Sequence, residues 1–213
     1  MFIVYRYVNV HIYLNIAKTK QTAICGSVVI VERSLDSAQD DNFFNRLLFV
    51  HPTGKVEFYD KRHTFTLAGE HEVYSAGENK LIVEYKGWKI CPLICYDLRF
   101  PELFRELSSH GANVITVPSA FTKVTGAAHW QVLLQSRAIE NQVFIVAAGQ
   151  SGTHANGRET WGHSMIVSPW GEILTCLPEE SGCSSATFSL ESLHKVRQSM
   201  PVQAHNQFIT KLK

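Results

Sequence analysis

The sequence predicts a mixed α/β domain whose β-sheets form layers. Two features lead to this prediction: antiparallel hairpin signals, and a stretch in which buried strands alternate with a helix. Both features in one chain favour a layered, sheet-rich α/β domain over a doubly wound one. The 213 residues fit a single domain, residues 1–213, because no repeat, low-complexity stretch or linker rich in proline and serine divides them.

Residues 1–15 (MFIVYRYVNVHIYLN) form an atypical leader. They lack the uninterrupted apolar core and the small-residue cleavage site of a signal peptide. The apolar run is also too short and too polar to span a membrane. Tyrosine, valine and isoleucine dominate it, so we interpret it as a β-strand or as a leader without a structural template.

The first half of the chain predicts a strand and two hairpins. The strand is Ile24–Glu32, which is rich in β-branched residues. The first hairpin joins residues 46–50 and 55–59 through the turn HPTG, and the second joins residues 80–85 and 88–94 through Lys86-Gly87.

The second half adds strands and helices in alternation. We predict helices where apolar residues recur at helical spacing, and strands where short β-branched runs lie between turn signals. The predicted elements are strand 113–118, helix 129–141, strand 142–148, a hairpin of 163–167 and 172–174 around SPWG, strand 186–189 and helix 190–198.

Charge and cysteine content exclude several classes of function. The formal net charge is +1, so the chain has no basic field that favours nucleic acid. Its five cysteines are odd in number and include no CxxC pair, which argues against a disulfide framework and a structural zinc site. A reducing, cytoplasmic setting fits this cysteine usage.

The segment KICPLICYDLRFPELFREL (residues 89–107) predicts a strand, a sharp turn and a helix, with Cys95 at the turn. Pro101 suits the first position of the helix. A turn of this kind presents the nucleophile in other hydrolases, and neighbouring backbone N–H groups can hold an oxyanion. The alternative is that Cys95 is a small buried residue, the role we assign to Cys91 four positions earlier.

A nucleophilic thiolate needs a base or a cation nearby, and FYDKRHTF (residues 58–65) offers both. Lys61, Arg62 and His63 follow a predicted strand. These residues fit a solvated basic turn, and His63 also fits one half of a Cys–His dyad with Cys95. The residues alone leave both interpretations open.

Six segments together resemble the nitrilase superfamily of carbon–nitrogen hydrolases, in the amidase branches that act on omega-amides and on deaminated glutathione. They are YDKRHTF, EHEVYSAG, CYDLRFPE, PSAF, HWQVLLQSRAIENQ and GHSMIVSPWG. The resemblance runs from about residue 23 to about residue 205. It implies a four-layer α-β-β-α sandwich, here missing its N-terminal strand and helix.

The resemblance also implies a catalytic set. Cys95 matches the nucleophile, Lys61 the lysine that stabilises the tetrahedral intermediate, and Glu70 the glutamate that orients the lysine and the substrate. Glu72 is the alternative if the register is shifted. The backbone N–H of Tyr96 would be the second oxyanion donor.

Further residues are expected around this set. Arg62, Arg99 and Phe121 are expected to contact the substrate, with Arg99 also able to reach Glu102 or a buried acid. No metal or cofactor is implied. The remaining matches are expected to be structural: His63, Trp130, and a buried polar network of Arg137, Glu140 and Asn141.

The family's first glutamate, its general base, has no match in this sequence. The 23 residues before the strand that begins at Ile24 contain neither Asp nor Glu, and the first acidic residue is Glu32. The chain is therefore expected to be truncated at its N-terminus. Loss of a general base costs on the order of 10²–10⁴ in rate, so a catalytically inactive binding protein is the alternative to an amidase.

The expected substrate is a small amide that carries a carboxylate. FYDKRHTF and EHEVYSAG resemble enzymes for omega-amides of 2-oxo acids, whereas PSAFTKVTGAAHW and GHSMIVSPWG resemble those for deaminated glutathione. The resemblance also implies a homodimer, whereas the low net charge and the short, polar leader argue against nucleic acid and membrane as partners.

Overall fold

The computed structural model describes residues 7–32 and 41–205. The chain divides into two compact units, Met1–Val83 with Pro92–Asp97, and Glu84–Cys91 with Leu98–Lys213. Each unit contains its own β-sheet. The part of the leader before residue 7 lies outside the described residues.

The first unit is a three-stranded antiparallel sheet with a helix on one face. The sheet has the order β1-β2-β3, and β1 pairs with β2 along its whole length, from Ile24 opposite Val50 to Glu32 opposite Asn42. A short 3₁₀ turn, Thr66–Ala68, precedes the last helix of this unit. The elements are α1 (Tyr7–Lys20), β1 (Ile24–Glu32), β2 (Asn42–Val50), β3 (Val56–Asp60) and α2 (Glu70–Val73).

Helix α1 corrects the prediction for residues 1–15, because residues 7–15 are helical rather than extended. Val10, Tyr13, Leu14 and Ala17 recur at helical spacing and pack on a cluster that includes Leu48. The helical spacing was not evident from the sequence, because the isoleucine and valine residues of this segment also favour strands. Tertiary packing therefore decides the structure of this segment.

The second unit contains a six-stranded sheet with the order β11-β10-β7-β6-β5-β4, and a separate β8-β9 hairpin. Helix α6 packs on β6 and β7 through Leu193, Val114 and Phe144. The elements are β4 (Val83–Tyr85), β5 (Trp88–Pro92), α3 (Pro101–Ser109), β6 (Val114–Thr116), α4 (Lys123–Thr125), α5 (Gln131–Asn141), β7 (Phe144–Ala147), β8 (Ser151–Thr153), β9 (Glu159–Trp161), β10 (Met165–Val167), β11 (Ile173–Cys176) and α6 (Leu190–Ser199).

Most predicted elements of the second unit are present, but the predicted strand 186–189 is wrong. Those residues have no regular structure, and Phe188 is held by stacking on Phe144 at 4.3 Å between ring centroids. Ser189 caps α6 by accepting a hydrogen bond from the Ser192 N–H. The side-chain packing of Phe188, rather than a strand, thus explains the apolar character of this segment. The β8-β9 hairpin is a second difference, because the sequence did not predict it.

The predicted polar network of α5 is confirmed. The Arg137 guanidinium donates to the Leu98 carbonyl at 3.1 Å and to Glu140 at 2.9 Å, and Asn141 donates to the Arg137 carbonyl at 2.9 Å. Trp130 is buried and donates from its indole N–H to the His163 carbonyl at 2.8 Å. These contacts fix the helix, which is the structural role expected of them.

Candidate active site

Cys95 lies at a strained turn, as its sequence context predicts. Strand β5 ends at Pro92, and Cys95 begins a 3₁₀ turn that extends to Arg99. Its φ angle is +47°, in the left-handed region that non-glycine residues rarely occupy. Strain of this kind persists where surrounding contacts hold it and is common at functional sites. Pro101 then opens α3 at its first position.

Lys61 lies one residue beyond β3 and is 3% exposed. Its ammonium donates to the Glu70 carboxylate at 2.5 Å. Its backbone is fixed on two sides, because its N–H donates to the Asn45 carbonyl and its carbonyl accepts from Gly77, each at 2.9 Å. The position of this buried cation is therefore set by the sheet and by its carboxylate partner.

Glu70 receives three hydrogen bonds. Besides Lys61, the Phe65 N–H donates to it at 2.6 Å and the Asn45 side-chain amide at 3.2 Å. Gly69, with φ at +69°, turns the chain so that Glu70 begins α2. Burial alone would raise the pKa of Glu70, but the hydrogen bonds from Lys61, Phe65 and Asn45 lower it below its ordinary value. The carboxylate stays ionised at neutral pH, as a partner of Lys61 must.

Asp97 joins the lysine segment to the cysteine turn. This carboxylate is fully buried and accepts from the Tyr59 hydroxyl at 2.9 Å and from the Ile94 N–H at 3.0 Å. His63 contributes its backbone N–H at 3.0 Å and its Nδ1 at 2.8 Å. Tyr59 and His63 lie on either side of Lys61, and Ile94 precedes Cys95. One buried acid therefore holds the flanks of both candidate catalytic residues.

The other predicted site residues divide between the two units. In the first unit, the Tyr96 ring packs on Phe65 with centroids 4.9 Å apart, and Arg62 is exposed. In the second unit, the Arg99 guanidinium lies 5.2 Å from the Phe121 ring centroid and 3.3 Å from His129 Nδ1. Arg99 and Phe121, two of the predicted substrate contacts, are therefore neighbours in the second unit.

Cys91 and Cys95 differ in burial, as expected for a core residue and a residue at a turn. Cys91 is fully buried, and burial raises the pKa of its thiol to about 12. It is therefore a neutral thiol at physiological pH, suited to packing. Cys95 is half-buried and lies at the turn that Asp97 holds.

Glu32, the first acidic residue of the sequence, is turned away from Lys61. It pairs with Arg46 at 2.8 Å. Arg46 and Asn45 are neighbours on β2 and therefore project from opposite faces of the sheet. Since Asn45 contacts Glu70, Glu32 lies on the face of the sheet opposite to the Lys61–Glu70 pair.

A polar cavity of about 430 Å³ lies in the first unit beside α2. Lys61, Glu70 and Cys95 are not among the residues that line it, so it does not mark the candidate catalytic set. The lining residues are Asp41, Asn42, Phe43, Thr64, His71, Glu72, Val73, Tyr74, Ser75 and Ala76.

Sequence reasoning missed Asn45 and Asp97. Both had a recognisable signal. Asn45 is a polar residue inside the predominantly apolar strand NFFNRLLFV, and Asp97 is a lone acid in the apolar segment around Cys95. A polar residue in such a position must be hydrogen-bonded when it is buried.

A carbon-nitrogen hydrolase family model matches residues 8–198 of this chain. The match covers most of the chain, including nearly all of α1 and the segments that carry Lys61, Glu70 and Cys95. The chain therefore belongs to the carbon-nitrogen hydrolase family. Residues 8–15, which belong to the predicted leader, lie inside the match.

Two curated relatives carry amidase names. The chain is 42% identical over 162 residues to deaminated glutathione amidase of Yersinia enterocolitica, covering 72% of this chain and 57% of that protein. It is 38% identical over 188 residues to omega-amidase YafV of Escherichia coli (strain K12), covering 87% of this chain and 70% of that protein. The chain thus spans little more than half the length of the first relative.

The fold is shared with Nit3 of Saccharomyces cerevisiae, a member of branch 10 of the nitrilase superfamily. The TM-score is 0.83 at 30% identity, over 93% of this chain and 71% of that one. The predicted fold class, mixed α/β of the nitrilase type, is confirmed.

The described residues offer no candidate for a metal centre or for a membrane span. In residues 7–32 and 41–205, no cluster of three or more His, Cys, Asp or Glu side chains is arranged to hold a metal ion. No helix in the same ranges combines the length and apolar character that crossing a membrane requires.

Proposed function

We propose that this chain hydrolyses a small carboxylate-bearing amide through a thioester on Cys95. The observation that carries the proposal is the buried Lys61–Glu70 ion pair, whose lysine is flanked by residues that share Asp97 with the Cys95 turn. A cation held beside a cysteine turn suits acyl transfer, in which negative charge develops on a carbonyl oxygen.

The proposed reaction has two stages. The Cys95 thiolate attacks the amide carbonyl carbon, and the oxyanion is held by the Lys61 ammonium and the Tyr96 backbone N–H. The C–N bond breaks as the nitrogen gains a proton, which leaves a thioester and ammonia or an amine. Water then attacks the thioester, releasing the carboxylic acid and restoring the thiol.

Glu70 is proposed to orient Lys61 rather than to transfer protons. Its three hydrogen bonds and its lowered pKa support this role, because they keep the carboxylate ionised and fixed. A preorganised lysine needs no rearrangement when the oxyanion forms. Arg62, Arg99 and Phe121 are proposed as substrate contacts, with the arginines suited to a substrate carboxylate.

The proposed substrates are an omega-amide of a 2-oxo acid or deaminated glutathione. The names of the two relatives support both. The test is ammonia release from 2-oxoglutaramate, and release of the corresponding acid from deaminated glutathione, by the purified chain and by Cys95→Ala. We expect release from one of the two amides that Cys95→Ala abolishes. Equal release by both proteins would overturn the proposal.

A second candidate is a binding protein that forms no product. One observation favours it: Glu32 is paired with Arg46 on the face opposite Lys61, and no acidic residue precedes it in the sequence. The two candidates differ in the fate of Cys95. Single-turnover mass spectrometry with the amide distinguishes three results: turnover, a thioester that persists on Cys95, and an unmodified Cys95 thiol. Only a persistent thioester or an unmodified thiol fits the second candidate.

We further propose a cytoplasmic homodimer. Val132 and Ile139, seven residues apart on α5, are 64% and 50% exposed, and this apolar stripe supports association with a second copy. Light scattering after gel filtration tests the assembly. Val132→Glu combined with Ile139→Glu is expected to yield a monomer, and a parent protein that is already monomeric contradicts this proposal.

A further inference from the structure

The second unit has two exposed cysteines, one on the edge strand of its sheet and one shortly after it. Cys176 is the last residue of β11, the edge strand, and Cys183 follows seven residues later. Both are free thiols with exposed side chains. Neither takes part in the proposed amide hydrolysis.

Contacts on either side of the two cysteines set their register. The Thr175 and Ser184 hydroxyls lie 2.6 Å apart. The Leu177 side chain comes within 3.4 Å of the position that a β-carbon would occupy at Gly182. Both pairs fit an antiparallel arrangement of the two segments, and in that register the residue opposite Cys176 is Cys183.

The direction of the side chains follows from this register. Successive side chains of an extended segment point to opposite sides. Thr175 and Leu177 are half-buried and face the returning segment's Ser184 and Gly182, whereas Cys176 is exposed. The two cysteines therefore share the solvent side. Directly opposed residues have β-carbons about 4.5–5.5 Å apart, and a disulfide needs only modest closure from there, to about 3.5–4.5 Å.

We infer that Cys176 and Cys183 form an oxidation site, closed to an internal disulfide by hydrogen peroxide. One thiolate attacks the peroxide, forming an S–O bond as the O–O bond breaks, so that a sulfenic acid and water result. The second thiol attacks that sulfur, the S–S bond forms, and the S–O bond breaks with loss of a second water. The two thiols are oxidised and one peroxide is reduced.

The disulfide would close a ring over residues 176–183. Glu179 in this loop pairs with Lys123 at 2.8 Å, and Ser181 lies 3.4 Å from Ser151, hydroxyl to hydroxyl. Closing a loop removes conformational freedom from the open chain and so favours the arrangement in which these contacts are made. In a reducing compartment such a bond is transient and is reversed by thiols.

The test treats the reduced full-length chain with hydrogen peroxide, blocks the remaining thiols and digests the protein with a protease that cleaves after glutamate. Cleavage after Glu179 and Glu180 separates the two cysteines. The expected product is a pair of peptides joined only through Cys176 and Cys183 and separated by reductant. Because the two residues are near in sequence, the same reaction is timed in urea, and crosslinking should be severalfold faster in the native protein.

A matched control moves one thiol by a single position. The double variant Cys183→Ser, Ser184→Cys places the second thiol beside Thr175, on the other side of the segment, and should crosslink to Cys176 more slowly than the parent. Equal rates in the native and unfolded parent, equal rates in the parent and the double variant, or oxidation to sulfinic acid without crosslinking would each overturn the inference.

Discussion

The hairpin of β2 and β3 buries one cation on each of its faces, and the two are held in different ways. On one face, Arg46 binds both oxygens of Asp60, at 2.6 and 2.7 Å, and one oxygen of Glu32 at 2.8 Å. Its guanidinium also lies 4.0 Å from the Phe58 ring centroid. On the other face, Lys61 has Glu70 as its single carboxylate partner among the described residues.

The difference separates a structural cation from one suited to chemistry. The planar guanidinium of Arg46 binds both oxygens of one carboxylate and lies against aromatic rings. Little of its charge is therefore available to a ligand. An ammonium has three N–H donors, and one carboxylate leaves Lys61 with donors to offer an oxyanion. Burial alone therefore does not distinguish a reactive cation, whereas the number and geometry of its partners does.

The largest effect is expected from removing the structural cation. Arg46→Met leaves Asp60 and Glu32 as unpaired carboxylates on the buried side of the sheet. Breaking a buried pair in this way costs about 3–5 kcal/mol of the free energy of unfolding. Urea unfolding followed by circular dichroism measures the loss.

Lys55→Met is the control for this prediction. Lys55 lies in the same hairpin and pairs with Glu57, but its side chain is 62% exposed. Its replacement is expected to leave the unfolding midpoint nearly unchanged, since exposed ion pairs contribute little. If both variants unfolded at the parent's midpoint, the structural role of Arg46 would be wrong.

Removing the second cation should reduce the rate of amide hydrolysis. Lys61→Met takes away one of the two proposed oxyanion donors, and the loss of such a donor costs on the order of 10²–10³ in rate. The measurement is kcat for the amide that the parent hydrolyses, with Lys55→Met again as the matched control. A Lys61→Met variant that is folded and turns over as fast as the parent would show that Lys61 is not the oxyanion donor.

Of the two cations, Lys61 was predicted from the sequence as a functional residue, whereas Arg46 was not. The turns HPTG and Lys86-Gly87 predicted both hairpins of the first half of the chain, since local turn chemistry fixes such connections. Lys61, Glu70 and Cys95 came from family resemblance. Nothing local distinguishes Arg46 from other strand residues, because its partners Asp60 and Glu32 each lie fourteen residues away in the sequence.

The remaining omissions have the same physical origin. Asn45 reaches Glu70 across 25 residues of sequence, and Asp97 reaches Tyr59 across 38. Hydrogen bonds over such separations depend on the tertiary fold rather than on local pattern. The same is true of α1, where packing of Ala17 and Tyr13 on the sheet overrides the strand preference of valine and isoleucine.

A pH-dependent effect is expected at the carboxylate partner of Lys61. The pKa of Glu70 in the folded state is lowered below its ordinary value of 4.5. As the pH falls past 4.5, Glu70 is therefore protonated to a greater extent in the unfolded chain than in the folded protein. The stabilisation from Glu70 is therefore complete above that pH and is lost as the pH falls through the lowered folded value. At pH 7, Glu70→Gln should cost about 1.5–3 kcal/mol, the range for hydrogen bonds to a charged group.

Urea unfolding of the parent and of Glu70→Gln between pH 7 and pH 3 checks this sign, because the difference between them should shrink towards low pH. Glu72→Gln is the matched control and also tests the register, since Glu72 is the alternative glutamate. A pH-dependent loss in Glu72→Gln instead of Glu70→Gln would reverse the assignment.

The smallest effect is expected at His63, the residue on which the alternative Cys–His mechanism depends. His63→Ala removes one of four hydrogen bonds to Asp97 and leaves the Tyr59 hydroxyl and two backbone N–H groups in place. We expect a cost of about 1 kcal/mol in the free energy of unfolding and a kcat within about tenfold of the parent, since a positioning contact rather than a proton acceptor is lost. A Cys–His dyad predicts the opposite, a loss as complete as that of Cys95→Ala with Glu70→Gln tolerated. Measuring kcat for His63→Ala and Glu70→Gln side by side therefore decides whether the buried lysine or the histidine beside it serves Cys95.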